Sequence, residues 1–525
     1  MHLASRFSTI AWARRATIFG VSACCLFVFA GSSLSADPTP PGSGQAQARS
    51  NAVGAADRLK ATLVKVYTTA HPADLLSPWQ GLGTEKYVGS GVVIAGDRIL
   101  TNAHLVADSV SIEVKRQGMT RRYEASVAHV GHACDLALLQ VDDITFFEGV
   151  EPLDLGAMPE LQDTVDVYGF PVGGDSISIT SGIVSRVEVG RYSHSGVRLL
   201  LAQIDAALNP GNSGGPVVAD GRIVGVAAQT LGGAENVGYM IPAPVVRHFL
   251  ADIADGNFDG FPNLGVDLQI VANRGLREEL GLAENETGGL VSRINYGSSA
   301  WGVLEPGDVL LGVADVEVAE DLTVALADSS SRLAIAWAVG RQQVGEEIEL
   351  KILRNGEHLT RTISLTHTSA LVPGPRYDAK PTYLIFGGMV FQPLTRDYFD
   401  FLYEWNHDLA WYAFHQYLRT PERQEVVMLS QVLAAPLNRG YHNWQNEIVA
   451  TVDGIVPRDM AHLAKLLDAA KGPRLTIMTA EGRRGVLDLE RAREITPSIL
   501  ERYGVPSARS PDLRASVRQP PQPQP

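Results

Sequence analysis

The chain has 525 residues, of which 45% are hydrophobic and 19% are charged, and its formal net charge is −14. This length predicts about three folded domains at roughly 150 residues each. The acidic balance, without a long basic run, excludes a broad electrostatic grip on nucleic acid, because such a grip requires clustered Lys and Arg.

The N-terminus has the pattern of an export signal. Arg14 and Arg15 precede the apolar stretch ATIFGVSACCLFVFAG, and small residues follow it up to Ala36. The stretch is shorter than the roughly 20 residues that span a bilayer. We therefore expect a signal peptide over residues 1–36, export to the periplasm, and no membrane span after cleavage. The alternatives are a retained signal anchor and an organellar transit peptide, since the segment holds arginines and serines but no acid before Asp37.

Residues 37–54 are rich in Pro, Gly, Ser and Ala, which predicts a disordered linker. Two of the three cysteines lie inside the signal, so the mature chain would keep only Cys134. An intramolecular disulfide framework is therefore excluded, even in an oxidising compartment.

Residues 55–255 contain short, β-branched apolar runs such as LVKVYTT, SGVVIAGDRILT, DLALLQV and GRIVGVAAQ. Turn residues separate these runs, and the pair Asp220 and Gly221 predicts a tight hairpin. Many short strands without intervening helices indicate an antiparallel barrel or sandwich. The sequence APVVRHFLADI then predicts a helix that closes the domain.

Three polar residues of this region have the chemistry of a nucleophilic site. Ser213 lies in the glycine-rich loop NPGNSGGPVV, His104 ends the run RILTNAH, and Asp135 begins DLALLQV. A serine hydroxyl needs a base to take its proton and a carboxylate to orient that base. The chain order His, Asp, Ser is the order of chymotrypsin-type barrels. The glycines allow the backbone N–H groups of Gly211 and Ser213 to converge on an oxyanion.

A metal site is the alternative for the histidines nearby. His129 and His132 in HVGHACD have H-x-x-H spacing beside Cys134, but zinc generally needs about four placed ligands. Positions 129 and 132 of a strand also point to opposite faces. We therefore predict no metal and, because no nucleotide-binding loop is present, no cofactor. Nothing marks Cys134 as an activated nucleophile.

The segments GSGVVIAGDRILTNAHLV, CDLALLQV and IDAALNPGNSGGPVVADGRIVGVAAQT resemble the three catalytic segments of Deg/HtrA serine proteases. The resemblance implies a chymotrypsin-like double β-barrel. It implies that His104 is the general base, Asp135 its orienting carboxylate and Ser213 the nucleophile.

The same resemblance assigns the residues around the nucleophile. It places the oxyanion hole at Gly211, Asn212 and Ser213. It also implies that Leu208 lines the primary specificity pocket, which would favour small aliphatic side chains. The loops DLLSPWQGLGTEKY and VGRYSHSG match positions that regulate the family, where ligand signals order the oxyanion loop.

Residues 258–368, with the turn and strand LEPGDVLLGV, resemble a PDZ domain. Leu264, Gly265 and Val266 fall where its carboxylate-binding loop lies, so a C-terminal peptide would add to the sheet edge beside them. The alternative is a rigid spacer or an assembly contact. Residues 380–500 resemble the second PDZ domain of plant-type Deg proteases and their bacterial relatives, with the aromatic helix YFDFLYEWNHDLAWYAFHQYL inserted and no clear carboxylate loop. Residues 501–525 predict a partly disordered tail.

The predicted fold class is mainly β, with a chymotrypsin-like double β-barrel followed by two PDZ-like α+β domains. The predicted function is ATP-independent serine endopeptidase activity on unfolded or damaged proteins, in protein quality control, by a homo-oligomer of one or more trimers. The alternative is a PDZ-based chaperone or scaffold with a latent protease domain.

Overall fold

The computed structural model describes residues 57–171, 174, 176–230, 237–326, 331–402 and 406–516. The predicted signal peptide (1–36), the predicted linker (37–54) and the tail after residue 516 lie outside the described residues. No helix in the described part of the chain is long and apolar enough to cross a membrane.

The first six strands close a barrel in the order β1-β2-β3-β6-β5-β4. They are β1 (Leu63–Ala70), β2 (Glu85–Ile94), β3 (Arg98–Thr101), β4 (Ser109–Arg116), β5 (Tyr123–Gly131) and β6 (Leu136–Gln140). In β4 the apolar Ile112 and Val114 are buried while Glu113 between them is exposed, which is the alternation of a strand with one buried face.

A second closed barrel follows in the order β10-β11-β12-β9-β8-β7. Its strands are β7 (Thr164–Gly169), β8 (Ser178–Arg191), β9 (Arg198–Ile204), β10 (Pro216–Ala219), β11 (Arg222–Thr230) and β12 (Gly238–Pro242). Asp220 and Gly221 connect β10 to β11 with φ values of 50° and 73°, as expected for the predicted hairpin.

The predicted closing helix is α1 (Ala243–Asp252). Its buried Phe249 joins a core cluster that contains Leu100 and Leu138 of the first barrel and Leu200 and Val226 of the second. The two barrels and the helix therefore share this apolar cluster, in addition to a separate cluster inside each barrel.

The third sheet has the order β13-β14-β15-β19-β20, with β16 paired to β15, and β17 and β18 form a separate pair. These elements are β13 (Val266–Ile270), α2 (Arg274–Leu280), β14 (Gly289–Ile294), β15 (Val309–Val313), β16 (Val316–Glu317), β17 (Thr323–Ala325), β18 (Arg332–Ala334), α3 (Ala336–Gly340), β19 (Glu347–Arg354) and β20 (Glu357–Ser364). We call residues 365–383, which lead to the next sheet, the inter-PDZ segment.

The last sheet has six strands in sequence order. Its elements are β21 (Leu384–Phe386), β22 (Met389–Pro393), α4 (Arg396–Phe401), α5 (His407–Phe414), β23 (Val427–Val432), β24 (Glu447–Val452), α6 (Met460–Ala469), β25 (Arg474–Thr479), β26 (Arg484–Asp488), α7 (Leu489–Arg502) and α8 (Pro511–Ser516). Described residues after 501 also belong to this domain. The N–H of Tyr383, for example, donates to the Ser510 hydroxyl, 3.1 Å away.

The aromatic segment predicted as one helix forms the two short helices α4 and α5, and residues 403–405 between them lie outside the described residues. The second helix begins at His407 because the side chain of Asn406 accepts a hydrogen bond from the N–H of Leu409 and so caps α5.

The loop DLLSPWQGLG before β2 packs against the last sheet and the residue before it. Trp79 meets the ring of Tyr383 edge-on, with centroids 5.9 Å apart. Gln392 Nε2 donates to the carbonyl oxygen of Leu75 at 3.3 Å. One of the two loops with a predicted regulatory role is thus held by residues more than three hundred positions later in the chain.

Candidate active site

Two short turns bring His104 and Asp135 together. His104 lies in the 3₁₀ turn Ala103–Leu105 that follows β3, and Asp135 follows the turn His132–Cys134 that precedes β6. The strands β3 and β6 pair antiparallel, so the end of β3 and the start of β6 lie side by side. The sheet therefore presents both side chains at one edge of the first barrel.

The imidazole and the carboxylate form a close pair. His104 Nδ1 lies 2.8 Å from Asp135 Oδ2 and 3.0 Å from Oδ1. The backbone N–H of His104 also donates to Oδ1, at 2.8 Å, and Asn102 Nδ2 donates to the Asp135 carbonyl at 2.9 Å. Because a buried carboxylate accepts the Nδ1 proton, Nε2 is the nitrogen left to take a proton from another group.

The pKa of His104 is shifted upward from its ordinary value of 6.5. Burial lowers this pKa, because desolvation disfavours the cation. The negative charge of Asp135 and the hydrogen bond to it raise the pKa by more. The pair therefore stabilises an imidazolium, which is the species that a general base becomes after it accepts a proton.

Ser213 lies on the loop between β9 and β10, next to the turn that carries His104. A Cβ on the following residue, Gly214, would come within 2.4 Å of Thr101 Oγ1 and 3.1 Å of Leu105 Cδ1, which flank His104 in sequence. The Ser213 hydroxyl donates to the carbonyl oxygen of Ala228 at 3.3 Å. Within the described residues it makes no hydrogen bond to His104, so the structure joins only two of the three predicted residues directly.

Glycines on both sides of Ser213 hold the loop backbone in a left-handed conformation. Gly211 has φ 102° and Gly214 has φ 82°, which are left-handed values that favour glycine. Neither the N–H of Gly211 nor that of Ser213 donates to another described residue. Both donors therefore remain available to an oxyanion. The side chain of Asn212 is instead buried, and its amide atoms have no partner among the described residues.

Ser90 anchors this loop, and the sequence interpretation missed it. Its hydroxyl donates to the Gly211 carbonyl at 2.7 Å and accepts from the Phe170 N–H at 2.9 Å. Its N–H donates to the Ser213 carbonyl at 2.8 Å. The available signal was a buried polar residue in the otherwise apolar run GSGVVI of β2.

Leu208 lies beside the nucleophile loop and packs against Gly238 of β12. A Cβ on Gly238 would approach Leu208 Cδ1 to 2.7 Å, so the leucine fills the space that the glycine leaves.

Leu264, Gly265 and Val266 lie at the start of β13, where a cleft of about 340 Å³ runs between β13 and α3. The Gly265 carbonyl accepts from the Asn295 N–H at 2.7 Å, and Gly265 has φ 68°. Leu199 from the second barrel and Tyr417 close other sides of the cleft. The three predicted residues are thus together at one cleft next to the barrels.

The histidines weighed as a metal site are arranged differently. His129 lies on β5 opposite Leu138, whereas His132 Nδ1 lies 2.9 Å from His194 Nε2. The described residues contain no group of three His, Cys, Asp or Glu that could hold a metal ion. Burial raises the pKa of the Cys134 thiol well above its ordinary value, which keeps it from acting as a thiolate.

Comparison with known proteins gives two close matches from Arabidopsis thaliana. Protease Do-like 2, chloroplastic, is 41% identical over 456 residues, which are 86% of this chain and 75% of that protein. Protease Do-like 4, mitochondrial, is 37% identical over 454 residues, which are 86% of this chain and 85% of that protein. The chain belongs to the Deg/HtrA family of serine proteases.

Two family models match parts of this Deg/HtrA protease: a trypsin-like peptidase domain over residues 89–226 and a PDZ domain over residues 372–512. A solved HtrA-type protease, AlgW with a decapeptide, is 24% identical and covers 60% of this chain and 98% of that chain, with a TM-score of 0.46. The predicted fold class is confirmed, since two closed barrels precede two mixed α and β domains. The predicted serine endopeptidase activity is confirmed at the level of the family.

Proposed function

We propose that this Deg/HtrA protease cleaves unfolded or damaged polypeptides without ATP through His104, Asp135 and Ser213. The observation that carries the proposal is the contact of His104 Nδ1 with Oδ2 of the buried Asp135, 2.8 Å apart, beside a loop in which the N–H groups of Gly211 and Ser213 donate to no described residue. Such a pair has the geometry to orient a base and to stabilise its protonated form.

The chemical steps follow from this geometry. The Ser213 hydroxyl leaves the Ala228 carbonyl and turns to His104 Nε2, which accepts its proton as Oγ attacks the scissile carbonyl carbon. The N–H groups of Gly211 and Ser213 stabilise the oxyanion, and Asp135 stabilises the imidazolium. His104 then returns the proton to the leaving amine, and water hydrolyses the acyl-enzyme by the same base catalysis.

We also propose that the cleft at Leu264, Gly265 and Val266 binds C-terminal peptides and that the protein acts as a homo-oligomer built from trimers. An extended peptide would add to β13, which is an edge strand of its sheet among the described residues. For location we propose a compartment outside the cytoplasm. The mitochondrial and chloroplastic names of its relatives support the organellar alternative alongside the periplasm.

The function is tested by reaction of the full chain with a fluorophosphonate probe and with unfolded casein, in the absence of nucleotide. We expect one phosphonyl group on Ser213 by peptide mass spectrometry, and casein cleavage that stops once the serine is modified. Label on other residues only, together with suppression of client aggregation and no cleavage, would support the chaperone alternative instead.

Proteolysis should lose activity on acidification with a midpoint above pH 6.5. The base must be neutral to accept a proton, and the pKa of His104 is raised above 6.5 chiefly by Asp135 acting against burial. The check is kcat/KM against pH with a short peptide whose own groups do not titrate in that range. A midpoint below pH 6.5 would contradict the assigned base.

Leu208→Ala should broaden the preference for the side chain before the cleaved bond. Truncation opens space beside Gly238, so we expect kcat/KM for Phe relative to Val at that position to rise by about tenfold or more. Matched peptide pairs measure the ratio. Leu161→Ala at an exposed site serves as the control, and an equal change in both variants would show that Leu208 does not line the pocket.

A further inference from the structure

The inter-PDZ segment returns to the first barrel and docks beside the His104–Asp135 pair. The Tyr377 ring stacks on the His194 ring, with centroids 4.0 Å apart and planes at 16°. The Tyr377 hydroxyl donates to the His194 carbonyl at 2.8 Å. The His194 ring in turn lies 6.2 Å from the ring of His104. Tyr377 of the inter-PDZ segment therefore contacts His194, whose ring in turn lies near that of the proposed base, His104.

The next residue of this segment, Asp378, exchanges hydrogen bonds with Asp108. The N–H of Asp108 donates to Asp378 Oδ1 at 2.6 Å, and the N–H of Asp378 donates to Asp108 Oδ1 at 2.8 Å. Asp108 lies four residues after His104, where the connection from its turn enters β4. Asp378 thus forms hydrogen bonds with Asp108, the residue that ends the connection between the His104 turn and β4.

The second carboxylate oxygen of Asp378 reaches the other turn. His132 Nε2 lies 2.8 Å from Asp378 Oδ2, and because a carboxylate only accepts, the imidazole donates. His132 begins the turn that ends directly before Asp135. One side chain, more than 240 residues away in sequence, therefore bonds both to the turn before Asp135 and to the end of the connection that follows the His104 turn.

The charge of Asp378 fits this contact. Burial raises the pKa of its carboxyl, but the hydrogen bonds from His132 and from the Asp108 backbone lower it by more, so the net shift is downward. His194 is neutral near pH 7, because burial lowers its pKa to about 4. The anionic partner of the His132 imidazole is thus Asp378.

We propose that Asp378 is a positioning residue for the catalytic pair, which couples docking of the inter-PDZ segment to the distance between His104 and Asp135. The proposal rests on the serine protease mechanism proposed above. When the segment leaves the barrel, the turn before Asp135 and the connection after the His104 turn lose their shared hydrogen-bond partner at once. Because displacement of reacting groups by about 1 Å can cost on the order of 100-fold in rate, undocking would slow the chemical step.

The test compares Asp378→Asn with Asp220→Asn in the full chain. Asparagine tolerates the left-handed backbone of both positions and keeps Oδ1 for the Asp108 N–H, but its amide nitrogen cannot accept from His132. Asp220 is an exposed hairpin residue. Cleavage of a short unstructured peptide is normalised to the active sites titrated with fluorophosphonate, so unfolded molecules do not contribute.

We expect Asp378→Asn to lower kcat by roughly 10-fold to 100-fold, with KM changed less than about twofold. His132→Ala should have a similar effect, and the double variant should be no slower than the slower single variant, because both changes break one connection. Asp220→Asn should match the wild type.

Equal kcat in Asp378→Asn and Asp220→Asn would overturn the positioning role, and so would a loss confined to KM or additive losses in the double variant. If the wild-type chain neither cleaves nor labels, the proposed function itself fails. The two failures are therefore distinguishable in one set of assays.

Discussion

We expect Ser213→Ala to lower kcat/KM for peptide cleavage by at least about 10⁴-fold, because the change removes the proposed nucleophile and leaves only binding and oxyanion stabilisation. The structure predicts that little else changes. The Ser213 carbonyl keeps its bond from the Ser90 N–H. Among the described residues, the side-chain bond that is lost is the long one to the Ala228 carbonyl, worth about 1 kcal/mol or less. The measurement is single-turnover and steady-state cleavage together with thermal unfolding.

The control for this variant is Ser126→Ala, which truncates an exposed serine on β5 and should leave cleavage unchanged. Casein should still bind to Ser213→Ala. Residual activity above about one hundredth of wild type would place the nucleophile elsewhere, since a chemically competent serine is worth far more than that factor.

Asp135→Asn is expected to lower kcat by about 10⁴-fold at pH 7 while the fold is retained. Asp135 Oδ1 accepts from the backbone N–H of His104, so the oxygen of the introduced amide must stay at that position. The amide nitrogen then faces His104 Nδ1 and requires this atom to be the acceptor. The imidazole proton moves to Nε2, which can no longer take the proton of Ser213.

Thermal unfolding and the pH profile of Asp135→Asn distinguish loss of the correct tautomer from loss of structure. Asp142→Asn, an exposed neighbour, is the matched control and should behave as wild type. Full activity of Asp135→Asn would show that another group orients the base.

Much of the architecture follows from local patterns in the sequence. The alternation of strands such as β4, the Asp220–Gly221 hairpin and the helix α1 each depend on neighbours within a few residues, and so does the placement of His104 and Asp135 at strand ends. Their catalytic roles, and that of Ser213, stay predictions. What local patterns do not contain is the direction of the Ser213 hydroxyl, which depends on a rotatable bond.

The contacts of Asp378 were beyond sequence reasoning for a different reason. Its partners Asp108 and His132 lie 270 and 246 residues earlier, and a single aspartate in a connecting segment has no periodicity to mark it. The break between α4 and α5 was missed because aromatic residues continue across it, while the cap at Asn406 is a single polar side chain.

The packing of the loop DLLSPWQGLG against the last sheet also sets an order of events during synthesis. Its partner Gln392 follows Leu75 by 317 residues, so at about 5–20 residues per second the ribosome needs roughly 15–65 s to deliver it. During that time the first barrel can form, while Leu75 and Trp79 still lack their partners Gln392 and Tyr383. The strands of the first barrel are therefore synthesised well before the sheet that this loop contacts. A chain that ended before the last sheet would lack these contacts altogether.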